Sequence, residues 1–394
     1  MLLELINHNP DLQRLVNEGY DVQISNGYLV IGHIPYVNKE RQVLYGALIT
    51  TLDLTGDKTA KPKDHIVKWA GEYPCYSNGS QLEKLVNNPN ISEQIRSDLV
   101  ATCIFSHKPE GGYHDYYQKM TTYIQIVSHE ARALDPKATA KTFPVYKLNE
   151  EESVFNYLDT ASSRAGITSI NERLKQEKIA IVGMGGTGSY VLDLVAKTMV
   201  EEIHIFDGDY FFQHNAFRSP GGPSVEELSR KPTKVEWFSE IYSKMRRNIV
   251  PHFQYVDESN FENLKEMSFV FLCLDSGDSK QKIEEFLTVN KISFVDVGMG
   301  LNIQNGSIGG LVRVTTSTPD FSQHLKSRVP YTSDEENQYS SNIQISEMNA
   351  LNAVLAVIKW KKVCGFYADI QHEHHTVYGI SSNIITNEET DDKN

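Results

Sequence analysis

The sequence predicts an α/β protein in which a mostly parallel sheet with helices on both faces is preceded by a smaller α+β domain. Three observations predict it. From Lys178 onward, apolar runs rich in Ile, Val and Phe (178–182, 202–206, 252–256, 269–274 and 293–297) alternate with helical patterns (188–199, 234–247 and 279–290). Such alternation marks parallel strands joined by crossover helices. The first of these runs leads directly into a glycine-rich turn. The chain of 394 residues is also long enough for two domains of ordinary size.

The N-terminal domain spans 1–148. It opens with a short helical pattern at 11–18, and strand-like runs follow at 20–34, 42–54, 65–69 and 99–106, separated by turn signals such as Ser25-Asn26-Gly27 and Thr55-Gly56-Asp57. At 116–134, Met120, Tyr123, Ile124, Val127 and Ala131 recur at helical spacing. Residues 149–177 are polar and read as a connector of short helices. The second domain is 178–394, and its polar, acidic end at 387–394 is expected to fray.

Bulk properties exclude several classes. Hydrophobic residues at 40% and charged residues at 23% suit a soluble protein with a real core. No run approaches the roughly 18–20 apolar residues of a membrane span. Met1-Leu2-Leu3-Glu4-Leu5 lacks the features of a secretory signal, so the expected location is cytoplasmic. A net charge of −13 argues against a nucleic-acid partner, because phosphate backbones select basic surfaces. Cys75, Cys103, Cys273 and Cys364 are scattered without a C-x-x-C pair, which argues against a disulfide framework or a four-cysteine zinc site.

The run Ile179-Ala180-Ile181-Val182 enters Gly183-Met184-Gly185-Gly186-Thr187-Gly188 and then a helix. Gly183, Gly185, Gly186 and Gly188 let the backbone turn tightly and approach phosphate, and the helix N-terminus offers unpaired N–H groups. Asp207 ends the second strand, where a carboxylate can accept from ribose hydroxyls. To this point a nicotinamide-dependent oxidoreductase fits as well as anything else. Asp209, Asn215, Arg218 and Lys234 then follow in order. An Arg and a Lys near one nucleotide suit a triphosphate, whose charge they neutralise during nucleotidyl transfer.

This order resembles the superfamily of ThiF, MoeB and the ubiquitin-activating enzymes: a G-x-G-G-x-G loop, D-x-D (Asp207, Asp209), N-x-x-R (Asn215, Arg218), Lys234 before a helix, and Asp275 after the fourth strand. The resemblance spans about 164–384 and implies a Rossmann-like adenylation domain that uses ATP and Mg²⁺ on the C-terminal carboxylate of a ubiquitin-like protein, in a bacterial conjugation pathway. It implies that Asp207 holds the ribose, that Asn215, Arg218 and Lys234 hold the phosphates, and that Asp275 binds the metal. Lys280 stands where the family often has an Arg, and Arg164 or Arg173 is a candidate for the arginine lent by a partner subunit. A homodimer, a β-grasp partner and a conjugating enzyme are the implied partners.

The family's crossover loop falls at about 315–345 and here lacks the usual cysteine. Three readings stay open: the adenylate passes to a separate nucleophile; Cys75 or Cys103 accepts the acyl group; or a loop hydroxyl does, giving an oxyester. For the last, Ser340 and Ser341 rank ahead of Thr332 and Ser333, with Ser327 also in the loop. An acyl-adenylate is activated enough for a hydroxyl to attack. His372-Glu373-His374-His375 invites a metal reading, but an exposed loop entering a last strand at 376–380 is the simpler one. The N-terminal domain is compatible with a degenerate conjugating-enzyme-like or recruiting domain; Cys75 lies in a loop without a His-Pro-Asn triad. Within the superfamily, a peptide or a tRNA base is the alternative substrate.

Overall fold

The computed structural model describes residues 5–6, 8–151, 153–175, 177–275, 277–331 and 343–390. The chain forms two compact units, Met1–Leu148 with Tyr157–Thr168, and Asn149–Asn156 with Ser169–Asn394. The stretch expected as a connector is therefore divided between them.

The first unit contains helix α1 (Pro10–Asn17), strands β1 (Asp21–Ser25), β2 (Tyr28–Val37), β3 (Val43–Thr51), β4 (Ile66–Ala70), β5 (Val86–Asn88) and β6 (Cys103–Ser106), and helix α2 (Tyr116–Leu134). These strands form one antiparallel sheet in the order β1-β2-β3-β4-β6-β5. The run expected as one strand at 20–34 breaks into a hairpin because Asn26 and Gly27 take φ of 51° and 78°, the twist that a two-residue hairpin turn requires. Asp115 caps α2 by accepting from the Gln118 N–H. The helix then buries Met120, Tyr123, Ile124, Val127 and Ala131 against β2 and β3, the face that the periodicity marks. Trp69 and Phe105 stack at the centre of this core.

The second unit contains β7 (Lys178–Val182), α3 (Gly186–Val195), β8 (Glu202–Phe206), α4 (Lys234–Ser243), β9 (Ile249–His252), β10 (Phe269–Leu272), α5 (Asp278–Val289), β11 (Ser293–Gln304), β12 (Ser307–Ser317), α6 (Ser346–Val363), β13 (Glu373–Gly379) and β14 (Ile384–Thr390). Its sheet runs β9-β8-β7-β10-β11-β12-β13-β14, parallel from β9 to β11 and antiparallel from β11 to β14. Central strands are buried on both faces. In β7, Ile179 and Ile181 pack with Val191 of α3 and Trp360 of α6, whereas Ala180 and Val182 pack with Ile283 and Leu287 of α5.

Four expectations need correction. The third parallel strand is Ile249–His252, earlier than 252–256, because Asn248 at φ 61° turns the chain straight into it. The strand expected at 293–297 continues to Gln304 and folds back through Asn305-Gly306 into β12, a hairpin hidden by its many glycines. The strand expected at 376–380 starts at Glu373 and is followed by a further strand, β14, so His374 and His375 are buried strand residues and not exposed loop. The acidic end is not frayed up to Thr390, since β14 pairs with β13 through that residue.

The turn from β7 into α3 tolerates no side chain at Gly188, where a Cβ would stand 1.8 Å from the Gly183 carbonyl oxygen. Gly188→Ala should cost about 1–3 kcal/mol in guanidinium melts, as overpacking of a tight site does. Wild-type stability in that variant would show that the turn relaxes freely.

Candidate functional site

The C-terminal ends of β7, β8, β10 and β11 open on a cleft of about 740 Å³, the position where parallel α/β sheets bind ligands. Its first wall is the glycine loop. Gly183 sits at φ 93° and leaves no room for a side chain, since a Cβ would lie 2.5 Å from the Cys273 carbonyl oxygen. A Cβ on Gly186 would meet the Asn349 amide at 2.0 Å, whereas one on Gly185 would meet nothing within 4 Å. Gly185 thus presents bare backbone to the cleft at the start of α3.

Asp207 closes this wall. Its carboxylate accepts from the Met184 N–H at 2.7 Å, the Asp209 N–H at 2.8 Å and the Lys234 ammonium at 3.3 Å. Lys234, at the start of α4, also reaches Asp209 at 2.6 Å, and Tyr255 donates to the other Asp209 oxygen. The Lys234 and Tyr255 bonds hold the Asp209 carboxyl below its ordinary range, while bonding to Asp209 pushes the Tyr255 hydroxyl up to about 12. Asp207 and Lys234 are both buried, and a capping box between Thr233 and Glu236 fixes the helix end that carries Lys234.

Arg218 lines the cleft from the turn that follows the short helix Gln213–Ala216. Its Nε is buried with no hydrogen-bond partner among the described residues. Asn215 is buried but is not among the residues lining the cleft; its Oδ1 accepts from the Phe212 N–H at 2.8 Å and its carbonyl from Ser219. The structure therefore places Asn215 as a brace for the turn that delivers Arg218. Asp275 lines the cleft at the exposed end of β10.

Several residues lining the cleft or buried behind its wall escape the sequence reading. Asp296 on β11 is fully buried and forms ion pairs with Lys280 of α5 and with Arg313 of β12. Arg313 also donates to Thr315, which bonds His375 at 3.0 Å. Beside them Glu284 is buried, with Tyr331 donating to it at 2.7 Å; burial, and then the charge of Asp296, push its pKa up to about 7. Asn349 and Asn352, both buried on α6, face the same cleft. Asn349 donates to the Arg218 carbonyl and accepts from Thr187. The local trace of Asn349 and Asn352 is two amides three residues apart, on one face of a helix that is largely apolar around them.

Other candidates lie elsewhere. Thr332, Ser333, Ser340 and Ser341 fall outside the described residues. Ser327 donates to the His324 carbonyl within its own turn. Arg164 donates to the Asn17 carbonyl at 2.6 Å, and Arg173 to the Gly365 carbonyl. Cys75 and Cys103 are 1% and 2% exposed, and burial raises both thiols, which opposes the thiolate a transfer reaction needs. Among the described residues no three His, Cys, Asp or Glu side chains are grouped to hold a metal ion, His372–His375 included. Among them, too, no helix is long and apolar enough to cross a membrane.

Residues 10–160 match a domain of unknown function (DUF6791). Residues 160–382, more than half of the chain, match the ThiF family. Over 159 residues the chain is 23% identical to ubiquitin-like modifier-activating enzyme 5 of Drosophila virilis and 21% identical to that of Aedes aegypti. The match takes in 38% of this chain and 40% of each relative, so the chain spans about two fifths of the length of these curated relatives. Among solved structures it is similar to PaaA, with a TM-score of 0.44 and 16% identity over 56% of this chain and 75% of that one. It is also similar to E. coli MccB solved with ATP, with a TM-score of 0.44 and 14% identity over 56% of this chain and 66% of that one.

Because Glu284 keeps its proton in the folded state, it opposes folding as pH rises. Below about pH 4.5 both states hold the proton; between there and about pH 7 only the unfolded state releases it, so stability falls, and above pH 7 the cost is constant. Glu284→Gln should therefore melt like wild type near pH 4 and be more stable above pH 7, by about 3 kcal/mol. An advantage independent of pH would show that folding leaves the Glu284 pKa unshifted.

Proposed function

The chain belongs to the ThiF family, and on that premise we propose that it uses ATP and Mg²⁺ to adenylate the C-terminal carboxylate of a ubiquitin-like, β-grasp protein. The observation that carries this reading is the convergence of the glycine loop, Asp207, Lys234, Arg218 and Asp275 on one cleft. The fit to ATP rests on two features: bare backbone at Gly185, with a helix N-terminus behind it, and the buried Arg218 Nε that lacks a partner among the described residues. A nicotinamide enzyme would leave Arg218 and Lys234 without work.

In this reading Asp207 accepts from the ribose hydroxyls, the loop N–H groups and Arg218 take phosphate oxygens, and Lys234 exchanges a carboxylate partner for the triphosphate. A substrate carboxylate oxygen attacks the α-phosphorus; the bond to the β-phosphate bridge breaks and pyrophosphate leaves. Asp275 would hold Mg²⁺. A single protein carboxylate suffices, because this ion keeps several waters and takes the rest of its shell from phosphates. Bound there, it screens the repulsion between carboxylate and phosphate. The buried thiols of Cys75 and Cys103 leave onward transfer to a separate nucleophile or to a loop hydroxyl, Ser340 or Ser341 first. The N-terminal unit would recruit a partner such as a conjugating enzyme, with the active species a homodimer in the cytoplasm of a bacterium.

ATP–pyrophosphate exchange in the presence of candidate β-grasp proteins should proceed, and should fall about 100-fold or more in Asp275→Ala and in Arg218→Ala. No exchange with any candidate, together with NAD(H) binding, would overturn the reading. For the step after adenylation, a trapped acyl-enzyme should be cleaved by hydroxide and resist thiols. Thiol cleavage, or survival after every serine and threonine of 315–345 is replaced, would exclude the oxyester.

A further inference from the structure

The sheet order divides the cleft. The groups suited to a nucleotide stand on β8, β7 and β10, with Asp207, the glycine loop and Asp275 in turn. A carboxylate that attacks the α-phosphate must then lie over β11 and β12, where Gly298, Gly300, Leu301, Leu311 and Arg313 line the cleft. In β11, Asp296, Gly298 and Gly300 alternate with their neighbours onto one side of the sheet, facing Thr315, Arg313 and Leu311 across the antiparallel pairing. A Cβ on Gly300 would meet nothing within 4 Å, so this floor offers backbone and space. Lys280 and Arg313 share the Asp296 carboxylate, with Glu284 buried beside them.

At the strand ends, on the opposite face of the sheet, the one that carries Val295 and Val297, Asn352 of α6 also lines the cleft and is 1% exposed. Its Nδ2 donates to the Gly298 carbonyl at 3.1 Å. A carbonyl oxygen only accepts, so that bond fixes which end of the amide is nitrogen. The other end, Oδ1, is buried with no partner among the described residues. A buried acceptor in that state is costly until a donor arrives.

We infer that Asn352 Oδ1 accepts the N–H of the last peptide bond of the substrate, so that this half of the cleft selects a polypeptide carboxyl end over a carboxylic acid lacking that N–H. The inference rests on the adenylation reading above. It explains a buried amide oxygen that lacks a donor among the described residues beside the Gly298 backbone: an extended chain end supplies one N–H there with little bulk. Asn352 is thus a specificity residue that touches substrate next to the reacting group.

The test uses two probes that mimic the acyl-adenylate, glycylglycyl-sulfamoyl adenosine and the analogue in which the N–H of the last residue is replaced by an ester oxygen. Calorimetry should show the ester bound about tenfold more weakly by the wild-type chain, the penalty of leaving a buried acceptor unmet. Asn352→Leu should erase the difference. Equal affinities in wild type, with ATP still bound, would overturn the role of Asn352 and leave the nucleotide site standing. Failure to bind either probe or ATP would overturn the adenylation reading along with it. The wild-type comparison decides the matter even where Asn352→Leu does not fold.

Discussion

The Asp207 carboxylate ties together three segments that must be held in register for a nucleotide site to exist here. One oxygen accepts from Met184 in the glycine loop and from Lys234 at the head of α4, and the other accepts from Asp209 just beyond β8. A buried carboxylate is stable only when such donors meet it. Its pairing with Lys234 therefore fixes both the loop that would approach phosphate and the cation that would neutralise it. The same lysine is shared with Asp209, so one ammonium serves two carboxylates before any nucleotide is present.

From that pin the rest of the cleft follows by topology. The loop leads into α3, α3 packs on α6, and α6 carries Asn349 onto Gly186 and Asn352 onto Gly298. One helix thus spans both halves of the cleft, the half at β7 with the glycine loop and the half at β11 and β12. The Asp296 network supports the second half as Asp207 supports the first: a buried carboxylate between two cations, with Thr315 and His375 extending the chain of hydrogen bonds.

The half of the cleft at β7, β8 and β10 was legible in the sequence because its parts are local. A strand, a glycine turn and a helix N-terminus lie within a dozen residues, and Asp207 and Lys234 are 27 apart in a fixed order. The second half was not legible. Arg313 and Asp296 meet only because β11 and β12 form a hairpin, and that hairpin was masked by Gly298, Gly300, Gly306, Gly309 and Gly310, which weaken any strand pattern. Asn349 and the Arg218 carbonyl are 131 residues apart, a contact that no local pattern encodes. Asn215 was read by its place in a motif, yet its side chain holds a turn and does not line the cleft, because a buried amide is claimed first by the nearest unsatisfied backbone group.

The central claim is that this cleft is built for a triphosphate and not for a dinucleotide. Calorimetric titration of the wild-type chain with ATP and with NAD⁺, repeated on Arg218→Ala, tests it most directly. The account predicts one saturable ATP site, weakened about tenfold or more by the substitution, and little binding of NAD⁺. NAD⁺ binding as tight as ATP, or ATP binding indifferent to Arg218, would contradict it.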